Sequence, residues 1–123
     1  MTPKHTWKIF INDLELQAQV GILEHEIGTY QRIILDIVCD YHAFITKNSN
    51  DLSQIVSYSD LVEEIKKIVS SKHVFFLETL CQDIAQHCLS KDKIFHVYVK
   101  ITKPDILPDT QKIGISIERS RDF

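Results

Sequence analysis

The feature that most constrains this chain is the order in which two hydrophobic periods succeed one another: two, two, 3.6, 3.6, two, two. Between Lys8 and Ile22 the apolar residues Leu14, Leu16, Ala18 and Val20 alternate with polar Asp13, Glu15, Gln17 and Gln19, the pattern of a strand with one buried face. Ile33, Leu35 and Ile37 resume that alternation after ILEHEIGTYQ, a connection unusually polar for a hairpin. Residues 48–57 are polar and turn-rich, and Ser57, three positions before Asp60, predicts the cap of a helix. Leu61, Ile65, Ile68 and Val69 then fall at helical spacing in DLVEEIKKIVSSK. After a break at Lys72 to Val74, Leu77, Leu80, Cys81, Ile84 and Cys88 do the same in FLETLCQDIAQHCLS. Period two returns at Phe95, Val97, Val99 and Ile101 and, past a turn holding Pro104 and Pro108, at Ile113, Ile115 and Ile117.

This ββααββ order predicts an α+β fold, a four-stranded antiparallel sheet with both helices on one face. A length of 123 residues suits one domain, 1–123, and leaves no room for a second. Such a sheet has two open edges, which pairing between subunits would cover. The formal charge of -3 argues against a nucleic-acid partner, which asks for Lys and Arg concentrated on one face. From Met1 to Phe10, with Lys4 and Lys8, there is no continuous apolar run; neither a signal peptide nor a membrane span is expected, and the chain reads as cytoplasmic. Cys39, Cys81 and Cys88 are odd in number and lack CxxC spacing, which predicts reduced core thiols.

Generic motifs for chemistry are missing. The six histidines form no HxH or HExxH group, and no Gly-rich phosphate loop, GxSxG elbow or CxxC pair occurs, so neither a metal nor a cofactor is expected. What remains is four polar residues at element ends or beside an apolar stripe: Glu26, Tyr58, Glu78 and Lys103. Each has a bland account, as a loop carboxylate, an aromatic ahead of a helix, a helix-surface charge and a strand-end charge.

The segments that hold them, GILEHEIGTYQRIILDI, VSYSDLVEEI, FLETLCQDIA and VYVKITKPD, with the ending IGISIER, resemble in order and spacing the dihydroneopterin aldolase family, from Ile9 to Arg119. Glu26 matches the family's loop glutamate, five residues after Gly21 and five before Gln31. Tyr58 matches the tyrosine ahead of the first helix, Glu78 the acidic residue after the leucine that opens the second, and Lys103 the lysine ending the third strand. One departure is Phe75, where relatives often carry a small or polar residue.

The resemblance implies the tunnelling fold, in which sheets join edge to edge into a ring barrel as a tetramer ring or a stacked octamer. It also implies a pterin substrate, 7,8-dihydroneopterin, cleaved by a metal-independent retro-aldol reaction to 6-hydroxymethyl-7,8-dihydropterin and glycolaldehyde. The dihydropterin ring C=N is itself the electron sink, so the protein need only bind, move protons and exclude water. On that basis Glu78, with the amide of Leu77, would hold the amino-pyrimidinone edge. Lys103 would transfer the hydroxyl proton, a role that asks for partial burial or a cationic neighbour. Tyr58 would return a proton to the enamine, and Glu26 would orient the hydroxyls. Relatives place the tyrosine on one subunit and the glutamate and lysine on the next. Competing readings are an epimerase of dihydroneopterin or its triphosphate, a non-catalytic pterin-binding oligomer, and a plain scaffold.

Overall fold

The computed structural model describes residues 5–110 and 112–121; Met1 to Lys4, part of the segment read for a leader, lie outside them. Strands β1 (His5–Ala18) and β2 (Gln31–Ala43), helices α1 (Tyr58–Ser70) and α2 (Leu77–Leu89), and strands β3 (Ile94–Lys103) and β4 (Ile113–Ser120) follow the expected order. The strands form one sheet in the order β1-β2-β3-β4, each neighbouring pair antiparallel. Helix α1 packs on β1, and α2 on β3 and β4, leaving β1 and β4 as the two edges.

The helices form where sequence chemistry starts them and stay where their apolar stripes are buried. Ser57 Oγ accepts from the Asp60 amide at 3.3 Å, capping α1. Leu61, Ile65 and Val69 of α1, and Leu80, Cys81, Ile84, Ala85 and Cys88 of α2, are buried against Ile33, Leu35, Ile37, Val97, Val99 and Ile101 of the sheet. Each larger aliphatic side chain among them contributes about 1.5–3 kcal/mol relative to exposure. All three cysteines are buried and unbridged, and among the described residues no helix is long and apolar enough to cross a membrane.

Three local differences from the periodic reading have identifiable causes. In β1 an extra residue between Ile11 and Leu14 shifts the register, with Asp13 at φ 56 and its amide donating to Asp36 Oδ1 at 3.0 Å. The bulge changes strand parity, so that Ile9 and Ile11 as well as Leu14 and Leu16 pack toward the core. A second irregularity, between Asp40 and Tyr41 of β2, pairs Ile94 with Tyr41 and His96 with Asp40. Ile94 therefore takes the buried position expected of Phe95, which stacks on His42 at a centroid distance of 4.2 Å instead.

The third concerns the end of β1, which stops at Ala18 rather than running on to Ile22. Val20 leaves the β2 ladder and bridges in parallel to Val74, in the connection between the helices. Val74 N–H donates to the Gln19 carbonyl at 2.9 Å, and Gly21 N–H to the Val74 carbonyl at 3.0 Å. Those bonds satisfy backbone groups of residues 19–21 away from the sheet and hold the start of the β1–β2 loop against the connection that leads into α2.

Candidate active site

The polar β1–β2 loop is a tight turn built around Glu26. Glu26 and Ile27 amides both donate to the Leu23 carbonyl, at 2.8 and 3.2 Å, and the Thr29 amide donates to the Glu26 carbonyl at 3.1 Å. The turn sends the Glu26 side chain inward, leaving it 4% exposed. Its carboxylate is fully engaged: Oε1 accepts from the Leu23 amide at 3.2 Å, and Oε2 accepts from Gln31 Nε2 at 2.9 Å and Lys103 Nζ at 2.6 Å. Burial alone pushes this carboxyl up, but hydrogen bonds from Gln31, Lys103 and Leu23, with the lysine charge, outweigh it and hold the group below its ordinary value.

Gln31 serves the sequence reading only as a register mark. In the fold it is a clamp, its Nε2 donating to the Val20 carbonyl at 2.6 Å as well as to Glu26. Its one visible signal is its place at the start of β2, where a side chain faces back toward the incoming loop.

Lys103 ends β3, and its side chain is 12% exposed. Of the two settings its proposed role asks for, partial burial is present, and the charge beside it is the Glu26 carboxylate and not a cation. The start of the β3–β4 connection is braced by Arg32, whose Nε and Nη2 donate to the two oxygens of Asp105 at 3.0 and 2.9 Å.

Glu26 and Lys103 open onto a cleft of about 650 Å³. Glu78 and Leu77, in the first turn of α2, line it as well. Phe76 occupies the N-cap position of α2 and supplies no side-chain bond to the first-turn amides; its carbonyl accepts from the Thr79 and Leu80 amides, which leaves the Leu77 and Glu78 amides without a partner among the described residues, beside the Glu78 carboxylate. The remaining walls are apolar: Ile22, Leu23, Phe75, Phe76, Ile106, Leu107, Ile113 and Ile115. Phe75, the departure from the family pattern, is thus a wall of the cleft, and it is 58% exposed.

The fold therefore brings together Glu26, Leu77, Glu78 and Lys103. It does not bring in Tyr58, which opens α1, is 69% exposed and is not among the lining residues. A neutral planar heterocycle suits the space: apolar walls for its faces, a carboxylate with adjacent amides for an amidine-like edge, and a desolvated ion pair for proton movement.

Comparison with known proteins identifies the family and the fold. The family model described as FolB: Dihydroneopterin aldolase matches residues 9–118. The chain is 31% identical over 116 residues to the folic acid synthesis protein FOL1 of Dictyostelium discoideum, a match spanning 94% of this chain but 18% of that protein. It is 23% identical over 115 residues to the dihydroneopterin aldolase of Escherichia coli K12, covering 94% of both. The crystal structure of E. coli dihydroneopterin aldolase in complex with neopterin superposes with a TM-score of 0.77 at 22% identity, covering 92% of this chain and 98% of that one.

Proposed function

The chain belongs to the dihydroneopterin aldolase family, and from that premise we propose that the cleft beside Glu26 and Lys103 is where it cleaves 7,8-dihydroneopterin. Its activity is the family's, that of a carbon–carbon lyase of folate biosynthesis. The observation that carries the assignment of residues is the desolvated Glu26–Lys103 pair, 2.6 Å apart, in the wall of an apolar cleft that is also lined by Glu78 and the start of α2.

Glu78 accepts two parallel N–H bonds from the amino-pyrimidinone edge, with the Leu77 amide donating to the adjacent acceptor. The side-chain hydroxyls then lie toward Lys103 and Glu26. The hydroxyl proton leaves to this pair, directly or through a water. As the O–H electrons form the carbonyl of glycolaldehyde, the carbon–carbon bond breaks and its electron pair moves into the ring C=N to give an enamine. Tyr58 of an adjacent copy returns the proton to the enamine carbon and releases 6-hydroxymethyl-7,8-dihydropterin.

An assembly of copies is part of this proposal. Two observations support it: β1 and β4 are open edges, and Tyr58 is exposed away from its own chain's cleft. A ring closed edge to edge, as a tetramer or a stacked octamer, covers the first and supplies the second. A cytoplasmic location accords with three unbridged thiols.

Epimerisation of the triphosphate is disfavoured by charge. Among the described lining residues the one cation is Lys103, and it is already paired to Glu26 beside a second carboxylate, Glu78, which is poor company for a polyanion. The test is anaerobic incubation with 7,8-dihydroneopterin followed by chromatography. Appearance of glycolaldehyde and 6-hydroxymethyl-7,8-dihydropterin in equal amounts is expected; epimerised substrate alone, or substrate recovered intact, would overturn the assignment.

A further inference from the structure

His73 lies in the α1–α2 connection, outside the cleft lining. Its Nε2 is 3.0 Å from the Gly21 carbonyl oxygen. A carbonyl only accepts, so Nε2 carries a hydrogen and donates it to Gly21. The ring's Nδ1 is buried and has no hydrogen-bond partner among the described residues. A ring chosen only to fill space would not bring an unmatched buried nitrogen with it, so the Nε2–H bond is the polar contact this position makes.

Gly21 is an unusual anchor for that bond. Its φ is 138, and the space a Cβ would fill is occupied by the Glu26 carboxylate, Cδ and both oxygens. The Gly21 peptide is therefore the wall against which that carboxylate rests. Both polar groups of the wall end on consecutive residues of the helix connection: the amide on the Val74 carbonyl at 3.0 Å and the carbonyl on His73. The same ring meets Phe75, a wall of the cleft, edge to face at 5.2 Å.

We propose that His73 is a positioning residue for the Glu26–Lys103 pair, acting through the Gly21 carbonyl. The proposal rests on the assignment of that pair to the chemistry. His73 touches no reacting atom; by fixing the Gly21 peptide it keeps the Glu26 carboxylate seated against Lys103.

The test compares His73→Leu, which removes the donor, with His73→Gln, which returns an Nε2–H donor without the ring. Three quantities are read: kcat on 7,8-dihydroneopterin, the dissociation constant of neopterin, and hydrogen exchange at the Leu23 amide, which donates to Glu26 Oε1. His73→Leu should lower kcat by about 10–100-fold and speed exchange at Leu23. Neopterin binding should change by less than about threefold, because its edge is held from α2. His73→Gln should recover kcat to within about fivefold of the parent. Equal losses in the two variants, or an unchanged kcat and Leu23 exchange in His73→Leu, would overturn the proposal. Should His73→Leu not fold, His73→Asn, one carbon too short to reach Gly21, takes its place against His73→Gln. Glu26→Gln separates the two levels: if it keeps the parent rate, the assignment of the pair fails, while the exchange readout still decides whether His73 seats Glu26. If Glu26→Gln is inactive and His73→Leu is not impaired, only the role of His73 falls.

Discussion

Replacing Gly21 by alanine should damage the protein twice, through one added methyl group. The first cost is conformational: at φ 138 a residue with a Cβ is strained by about 1–3 kcal/mol. The second is steric. The methyl would coincide with the Glu26 carboxylate, which must withdraw by on the order of 1 Å to regain van der Waals distance. The 2.6 Å contact with Lys103 would then open beyond hydrogen-bonding range, forfeiting a charge-assisted bond of about 1.5–3 kcal/mol. Together these amount to about 2.5–6 kcal/mol. At roughly 4 °C per kcal/mol for a chain of this length, calorimetry should find the transition lowered by about 10–25 °C. Turnover, followed as glycolaldehyde release, should fall by about 100-fold in the molecules that remain folded. Gly28 is the internal control: its φ is 75 and a Cβ there meets nothing within 4 Å. Gly28→Ala should therefore cost only about 1 kcal/mol and leave turnover unchanged. A Gly21→Ala protein melting within about 2 °C of the parent, with the parent kcat, would refute the claim that this peptide seats Glu26.

Three further outcomes follow from the same geometry. Glu26 is held below its ordinary value of 4.5, so the stability it contributes is present above that value and is lost as pH falls through the lower folded value. Melting temperature measured from neutral pH down into the range below 4.5 should accordingly fall more steeply for the parent than for Glu26→Gln; parallel curves would contradict the linkage. Lys103→Ala should reduce turnover by about two to four orders of magnitude while still binding neopterin, and borohydride should trap no lysine adduct with substrate in the parent, whereas a stable adduct on Lys103 would put a Schiff base in its place. Mixing Tyr58→Phe with Lys103→Ala subunits, each inactive alone, should restore activity at roughly a quarter of the boundaries in randomly mixed rings; no recovery after exchange would place tyrosine and lysine in one chain.

The sequence carries the element plan because that plan is local. A run such as Leu61, Ile65 and Val69, or Ile33, Leu35 and Ile37, states by spacing alone which side of a helix or strand must leave water. Ser57 starts α1 through a bond to a residue three positions on, and such short-range chemistry is legible without a fold. Element ends and stripe flanks marked the four candidate positions, family resemblance gave them roles, and the cleft contains Glu26, Glu78 and Lys103 but not Tyr58.

What the chain's order could not disclose depends on contacts between distant residues. Neither bulge has a periodic signature, yet one decides that Ile94 and not Phe95 enters the core. Glu26 reads as a solvated loop charge until the β2–β3 register, with Ile34 opposite Thr102, carries the end of β3 to the start of β2. Only then do residues 77 positions apart form a 2.6 Å ion pair. In the sequence Gly21 and Gln31 serve only as marks of register and His73 as no mark at all; in the fold the first two touch the Glu26 carboxylate and His73 holds the Gly21 carbonyl. Hydrophobic period is a property of neighbours along the chain and fixes which elements form; desolvation and charge pairing are properties of neighbours in space, and only the assembled sheet and helices determine where a carboxylate, a lysine and a cleft coincide.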